Sequence, residues 1–158
     1  MKRNGLMYVS LLLLFCFIPC HALGKGNSGF QDADTVAIKE YNMLMQVRGQ
    51  EITGICIMNV APDNSIVGTV VNEFGVKAFD FTFSKGKAKV LNVVGPLNKW
   101  YIKKVLRGDF TFILSSMDTS KDIIKKKRRI TFLPNGDIIA INERFKIHYT
   151  FTPMTSMP

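Results

Sequence analysis

Residue types that usually carry catalysis are scarce in this chain. Its 158 residues include two histidines and three cysteines, and His21, Cys16 and Cys20 all fall in the apolar first segment. His148 lies on the predicted outward face of the last strand, and Cys56 lies in an apolar stretch, where a buried thiol is a small inert side chain. One histidine and one cysteine are too few for a zinc site with three or four protein ligands. We therefore expect no catalytic residues, no metal and no cofactor.

The carboxylates do not form a catalytic pair. Most are predicted at turns or strand ends, and strand alternation places Asp80 on the solvent-facing side, opposite Phe79 and Phe81. Gly86 and Gly95 are isolated, so the chain has no glycine-rich loop that would hold a phosphate. The sequence therefore predicts that the protein is not an enzyme. The carboxylates considered are Asp63, Glu73, Asp80, Asp109, Asp118, Asp122, Asp137 and Glu143.

Positive charge is the first feature with a functional interpretation. Lysine and arginine number 21 against 12 aspartate and glutamate, which gives a formal net charge of +9. The densest part is the stretch Lys121–Arg129, and Lys103, Lys104 and Arg107 precede it on a predicted helix. Such a stretch is either a solvated, charge-protected edge or a surface for an anionic membrane, where each nearby cation contributes about 1 kcal/mol. The lysines expected to contact a membrane are Lys103, Lys104, Lys125, Lys126 and Lys127.

The first segment is interpreted as a secretory signal peptide. Two basic residues precede the apolar run Leu6–Ile18, which is shorter than the ~20 residues that span a membrane. Pro19 ends the run, and cleavage is expected after Ala22. A retained anchor helix and a lipid anchor at Cys20 are the alternatives, and Pro19 is an unfavourable residue before a lipidated cysteine. We therefore expect an exported protein.

The remaining residues are predicted to form one domain made mainly of strands. The expected divisions are 1–22 (signal peptide), 23–35 (flexible lead-in), 36–152 (the domain) and 153–158 (tail). Alternation of apolar and polar residues predicts strands near 41–48, 51–60, 65–72, 76–84, 87–94, 130–132, 138–141 and 145–151. Helical spacing of apolar residues from Leu97 to Met117 predicts one helix, with Asp118 as its end.

The short connections between the strands determine the expected fold. Links of about two to five residues force the first five strands into an antiparallel meander. A sheet of this size must twist and curl, and the one helix is available to cover its open side. The sequence therefore predicts an α+β, mainly β fold: an antiparallel half-open (unclosed) β-barrel of about eight strands with one inserted helix.

The side chains predicted to face inward are rich in methionine and aromatic rings. Such a lining is either a filled core or a hydrophobic cavity for acyl chains, because methionine adapts to irregular shapes. The sequence leaves both interpretations open. The residues concerned are Met43, Met45, Met58, Phe79, Phe81, Phe83, Trp100, Phe110, Phe145, Tyr149 and Phe151.

One predicted turn carries an aromatic residue at its tip. The segment is Val71-Asn72-Glu73-Phe74-Gly75, and turns ordinarily favour Gly, Asn, Asp, Ser and Pro. The Phe74 side chain either folds back onto a neighbouring face or projects into solvent. Together with the order of signal peptide, meander, inserted helix and closing hairpins, this segment resembles the LolA/LolB family of periplasmic lipoprotein carriers and outer-membrane lipoprotein receptors. It is similar to the Asn-x-apolar-Gly loop of the receptor branch.

The resemblance implies a role in the cell envelope, in the periplasm or at the outer membrane. Carried over, Phe74 is the residue that inserts into the membrane. The expected function is a non-enzymatic, monomeric protein that binds the acyl chains of a lipid or lipoprotein and contacts an anionic membrane. The alternative is a solid-core envelope module that binds another protein through exposed edge strands. Nucleic acid is not an expected partner, because an exported protein rarely meets it.

Overall fold

The computed structural model describes residues 36–47, 49–117 and 119–154. The expected signal peptide and flexible lead-in lie outside these residues, as do Asp118 and the end of the expected tail. The described residues form nine strands and one α-helix, with a 3-10 turn at Gly95–Leu97 before the helix. These elements are β1 (Ala37–Val47), β2 (Gln50–Val60), β3 (Ile66–Val71), β4 (Lys77–Ser84), β5 (Lys87–Leu91), α1 (Trp100–Met117), β6 (Ile123–Lys125), β7 (Arg128–Phe132), β8 (Ile138–Asn142) and β9 (Ile147–Pro153).

The strands form a single antiparallel sheet in the order β5-β4-β3-β2-β1-β9-β8-β7-β6. The central strand β1 pairs with β2 on one side and with β9 on the other. The edge strands β5 and β6 do not pair with each other, so the sheet is unclosed, and α1 connects the two edges along the chain. This arrangement confirms the predicted mainly β, antiparallel, unclosed fold with one inserted helix.

The inner face of the sheet is a filled core covered by α1. Phe79 and Phe81 of β4 and Tyr149 of β9 are each at most 1% exposed. The ring of Phe110 on α1 lies 4.9 Å from that of Phe81, 5.3 Å from that of Phe79 and 6.3 Å from that of Tyr149. A side chain at Gly68 would collide with the Phe81 ring, so glycine here leaves room for that ring against β3. The other predicted inward residues in this core are Met43, Met45, Met58 and Phe151.

Three residues predicted to line the interior are less buried than expected. Trp100 is 74% exposed, because it is the first residue of α1 and lies outside the stripe of Leu106, Phe110 and Ile113 that faces the sheet. Phe145 is 40% exposed, because β9 begins only at Ile147 and Phe145 lies in the preceding turn. The predictions for these two residues are therefore wrong, while Phe83 is half-buried against the core.

Several element boundaries differ from the prediction. β5 ends at Leu91 instead of Val94, because Asn92 has a φ of 49° and breaks the strand. The strand β6 was not predicted, since its three residues are flanked by charged residues and turns. β9 continues to Pro153, so the tail begins one residue later than expected.

In the part of the chain that the structure describes, no helix has both the length and the apolarity needed to cross a membrane.

Candidate functional site

Strand pairing brings several turns to one end of the sheet. Gln50, Val47, Ile147, Asn142, Arg128 and Lys125 are successive partners in one row across six strands. The β3–β4 turn emerges at the same end, because β3 runs antiparallel to β2. We call this end the rim. It comprises the turn at Gly49, the β3–β4 turn (72–76), the connection 92–99, the β6–β7 turn (126–127) and the β8–β9 turn (143–146).

The exposed aromatic side chains of the described residues all belong to the rim or to the first turn of α1 that follows it. They are Phe74, Trp100, Tyr101 and Phe145, with exposures of 80%, 74%, 49% and 40%. Tyr101 packs edge-to-face on Trp100 with ring centroids 6.1 Å apart, and the Arg144 guanidinium lies 5.4 Å above the Phe145 ring. The opposite end of the sheet carries no aromatic side chain of this kind among the described residues. The exposed aromatic side chains of the described residues therefore lie together at one end of the sheet.

Phe74 is held outward by a braced turn. The Asn72 side-chain oxygen accepts hydrogen bonds from the backbone N–H of Phe74 at 3.0 Å and of Val76 at 2.8 Å. The backbone of Asn72 also bonds to Val76 and Gly75, and Gly75 adopts a φ of 74° that glycine tolerates without strain. Asn72 thus explains the motif seen in the sequence: it fixes the turn while the ring of Phe74 projects into solvent.

Besides the cations of the connection 92–99 and of the β8–β9 turn, two groups of basic side chains lie at or next to the rim. Lys125 ends β6, and Lys126 and Lys127 form the two-residue β6–β7 turn, all three exposed. Lys126 and Lys127 have φ values of 49° and 62°. Both therefore occupy the left-handed region, which costs a residue with a Cβ about 1–2 kcal/mol. Asn-Gly is the usual choice for such a turn, so lysine is present here against the local conformational preference.

The second basic place is an open groove between α1 and β5. It has a volume of about 310 Å³ and is lined by Val90, Trp100, Lys103, Lys104 and Arg107. In the described parts of the chain the ion pairs are Lys77–Asp80 and Arg128–Asp109, so none of the three groove cations has a carboxylate within 4.0 Å. The structure thus brings Trp100 together with Lys103 and Lys104. The sequence analysis had predicted Trp100 in the interior and the two lysines on the surface.

Another cavity, of about 460 Å³, lies over β1, β2 and β9 near the β3–β4 turn. Its walls include Leu44, Ile55, Glu73 and Thr150, and Met43 is the one predicted interior residue that contributes to it. The core aromatics line neither of these two cavities. The buried aromatic rings that were predicted to line an acyl-chain cavity therefore pack as core in this structure.

A buried polar network joins α1 to three strands. Asp109, which is 2% exposed, accepts hydrogen bonds at one carboxylate oxygen from Arg128 Nε at 2.7 Å and from Asn142 Nδ2 at 2.6 Å. Its other oxygen accepts from the Tyr149 hydroxyl at 2.9 Å. Burial, and next the negative charge of Asp109, raises the pKa of Tyr149 well above its usual value, so the hydroxyl remains a donor.

Sequence reasoning missed the role of Asp109. It grouped this residue with carboxylates at turns and strand ends, whereas Asp109 lies in the middle of α1. The available signal was helical spacing, because Asp109 falls on the same stripe as Leu106, Phe110 and Ile113. A carboxylate on an apolar stripe requires buried partners. The network touches neither cavity described above, so it acts by holding the helix to β7, β8 and β9.

The two residues considered as candidates for catalysis, Cys56 and His148, do not form a site together. Cys56 is fully buried, and burial raises the pKa of its thiol to about 12. His148 is exposed on the opposite face of the sheet from Tyr149. Among the described residues, no group of three or more His, Cys, Asp or Glu side chains could hold a metal ion. The exposed aromatic and basic side chains make the rim the candidate functional site.

Comparison of this chain with family models, with curated proteins and with solved structures finds no match.

Proposed function

We propose that this protein is a non-enzymatic, exported cell-envelope protein that contacts an anionic membrane through its rim and binds acyl chains of a lipid or lipoprotein. The observation that carries the proposal is Phe74, 80% exposed at the tip of a turn braced by Asn72. Removing such a ring from water contributes roughly 1.5–3 kcal/mol. The rim lysines add attraction to an anionic leaflet of about 1 kcal/mol each.

The acyl-chain part of the proposal requires α1 to move. The inner face of the sheet is rich in methionine and aromatic rings, which suits an apolar ligand. Phe110 and Leu114 of α1 occupy that face, and they are 1% and 2% exposed. Acyl chains would therefore enter between α1 and the sheet and displace the helix from its packed position.

The alternative, a solid-core module that binds a protein partner by strand addition, has less support. The edge of β5 is partly occupied, since the Ala88 N–H donates to the Thr111 hydroxyl of α1 at 3.0 Å. The other edge, β6, is only three residues long and ends at Lys125. A short edge next to lysines is a typical protection against strand addition. The filled core remains compatible with either function.

Phe74→Glu tests the proposal directly. We expect an unchanged melting temperature, because the side chain is exposed, and a several-fold loss of co-sedimentation with phosphatidylglycerol vesicles at low and at high salt. Val67→Glu is the matched control, since Val67 is also an exposed apolar residue (58%) but lies away from the rim. A loss of stability above about 2 kcal/mol would place Phe74 in the core. Unchanged stability and unchanged vesicle binding would refute membrane contact at this residue.

A second test uses the strained lysine turn. Lys126→Asn/Lys127→Gly should raise the free energy of unfolding by about 1–3 kcal/mol, because it relieves two left-handed lysines while the conformational freedom that glycine loses on folding offsets part of the gain. The same variant should bind anionic vesicles several-fold less well at low salt. Lys85→Asn is the matched control: Lys85 also has a positive φ (50°) but lies in the β4–β5 turn at the other end. It should gain stability and keep its vesicle binding. If the double variant is more stable and binds equally well, the turn lysines have no membrane role.

A further inference from the structure

The N-terminal half of α1 has an unfavourable arrangement of charge. No acidic residue lies in its first turn, although the N-terminus of a helix favours negative charge. Lys103 and Arg107 are four residues apart and Lys104 and Arg107 are three apart, so these like charges are neighbours on the helix surface and destabilise it. A negatively charged ligand at this place would remove both penalties at once.

The groove beside these cations has two kinds of wall. Lys103, Lys104 and Arg107 supply positive charge, while Trp100 and Val90 supply apolar surface. Val90 is half-buried and belongs to the edge strand β5. Trp100 is 74% exposed and turns an indole ring to the same opening. An anion that carries an adjoining apolar part would contact both walls.

We infer that this groove binds the phosphate headgroup of an anionic phospholipid, with the three cations at the phosphate and Trp100 against the adjoining glycerol and upper acyl region. The inference deepens the proposed membrane contact and rests on it for the source of the ligand. Indole rings favour the boundary between headgroups and acyl chains, where one side is apolar and the other wet. Phe74 and Phe145 at the rim would then enter the same leaflet that supplies the headgroup.

Free phosphate and a lipid headgroup share the same anionic chemistry, and the test separates them. Trp100 is the single tryptophan of the chain, so its fluorescence reports on this groove alone. The protein is titrated with dihexanoylphosphatidylglycerol below its micelle concentration, with dihexanoylphosphatidylcholine, and with inorganic phosphate. We expect a saturable blue shift of the emission with the phosphatidylglycerol only. Since these lipids are dispersed as monomers, the result does not depend on membrane contact.

The variant Lys104→Gln/Arg107→Gln removes two exposed cations of the groove and should weaken phosphatidylglycerol binding at least tenfold. The matched control Lys85→Gln/Lys87→Gln removes the same charge at the opposite end and should leave binding unchanged. Equal shifts with inorganic phosphate would show that the ligand is a free phosphate ion and not a lipid. No shift with any probe would refute the site. Equal binding by both double variants would refute the assigned cations. Vesicle co-sedimentation of the same samples reports separately on the proposed function, because it also requires Phe74.

Discussion

Asp109→Ala should lower the free energy of unfolding by about 3–5 kcal/mol, because it leaves the partners of a buried carboxylate unpaired. Arg128 would keep its positive charge with a side chain only 24% exposed, and the Asn142 amide would lose a hydrogen bond in the core. The measurement is chemical denaturation followed by circular dichroism. Tyr149→Phe removes the hydrogen bond to the other oxygen of the buried carboxylate and should cost about 1.5–3 kcal/mol.

The control for charge alone is Glu143→Ala, since Glu143 is exposed in the β8–β9 turn. It should change stability by less than about 0.5 kcal/mol. The double variant Asp109→Leu/Arg128→Met should destabilise the protein less than Asp109→Ala does, because it removes the charge of Arg128 together with its partner. If Asp109→Ala were as mild as Glu143→Ala, the network would not hold α1 to the sheet.

Phe81→Ala should also lower the free energy of unfolding by about 3–5 kcal/mol, the cost of removing an aromatic ring from a packed core. The Phe81 side chain is fully buried, and it packs on Gly68 and against Phe110. Phe83→Ala, on the same strand but half-buried, should cost clearly less. Denaturant unfolding measures both. A small loss for Phe81→Ala together with weaker binding of an apolar dye would show an open cavity in place of the core.

The strands were predictable because most have one buried and one solvated face. In β4, Phe79 and Phe81 alternate with Asp80 and Thr82, and this period of two is visible in the sequence. The helix was predictable from its apolar stripe, and the short turns implied antiparallel neighbours. The pattern did not predict that β1 pairs with β9. These two strands lie at opposite ends of the described chain, and a local pattern carries no information about contacts at that sequence separation.

The candidate site was predictable only in part. Phe74 was recognisable because turn chemistry gives no reason for an aromatic residue at a tip. Phe145 was assigned to the interior by extending β9 across a backbone break that composition does not reveal. Trp100 was counted with an apolar stripe whose buried part begins only at Leu106. The exposure of Phe145 follows from Lys146, which has a φ of 54° just before β9, and that of Trp100 from its position at the start of α1. The groove of Trp100 with Lys103 and Lys104 depends on how α1 lies on β5, which no local pattern encodes.

The position of β1 at the centre of the sheet has a consequence for how the chain folds. The meanders β1–β5 and β6–β9 each consist of neighbouring pairings that close over short loops. The β1–β9 pairing joins them only after the last strand is present, and contacts of such long sequence separation form slowly. Until then both β1 and β9 present unpaired edges, which are prone to pair with other chains. The final strand is therefore the one whose delay exposes the chain most to aggregation, and a chain that stops short of Ile147 lacks the strand that pairs with β1 in this structure.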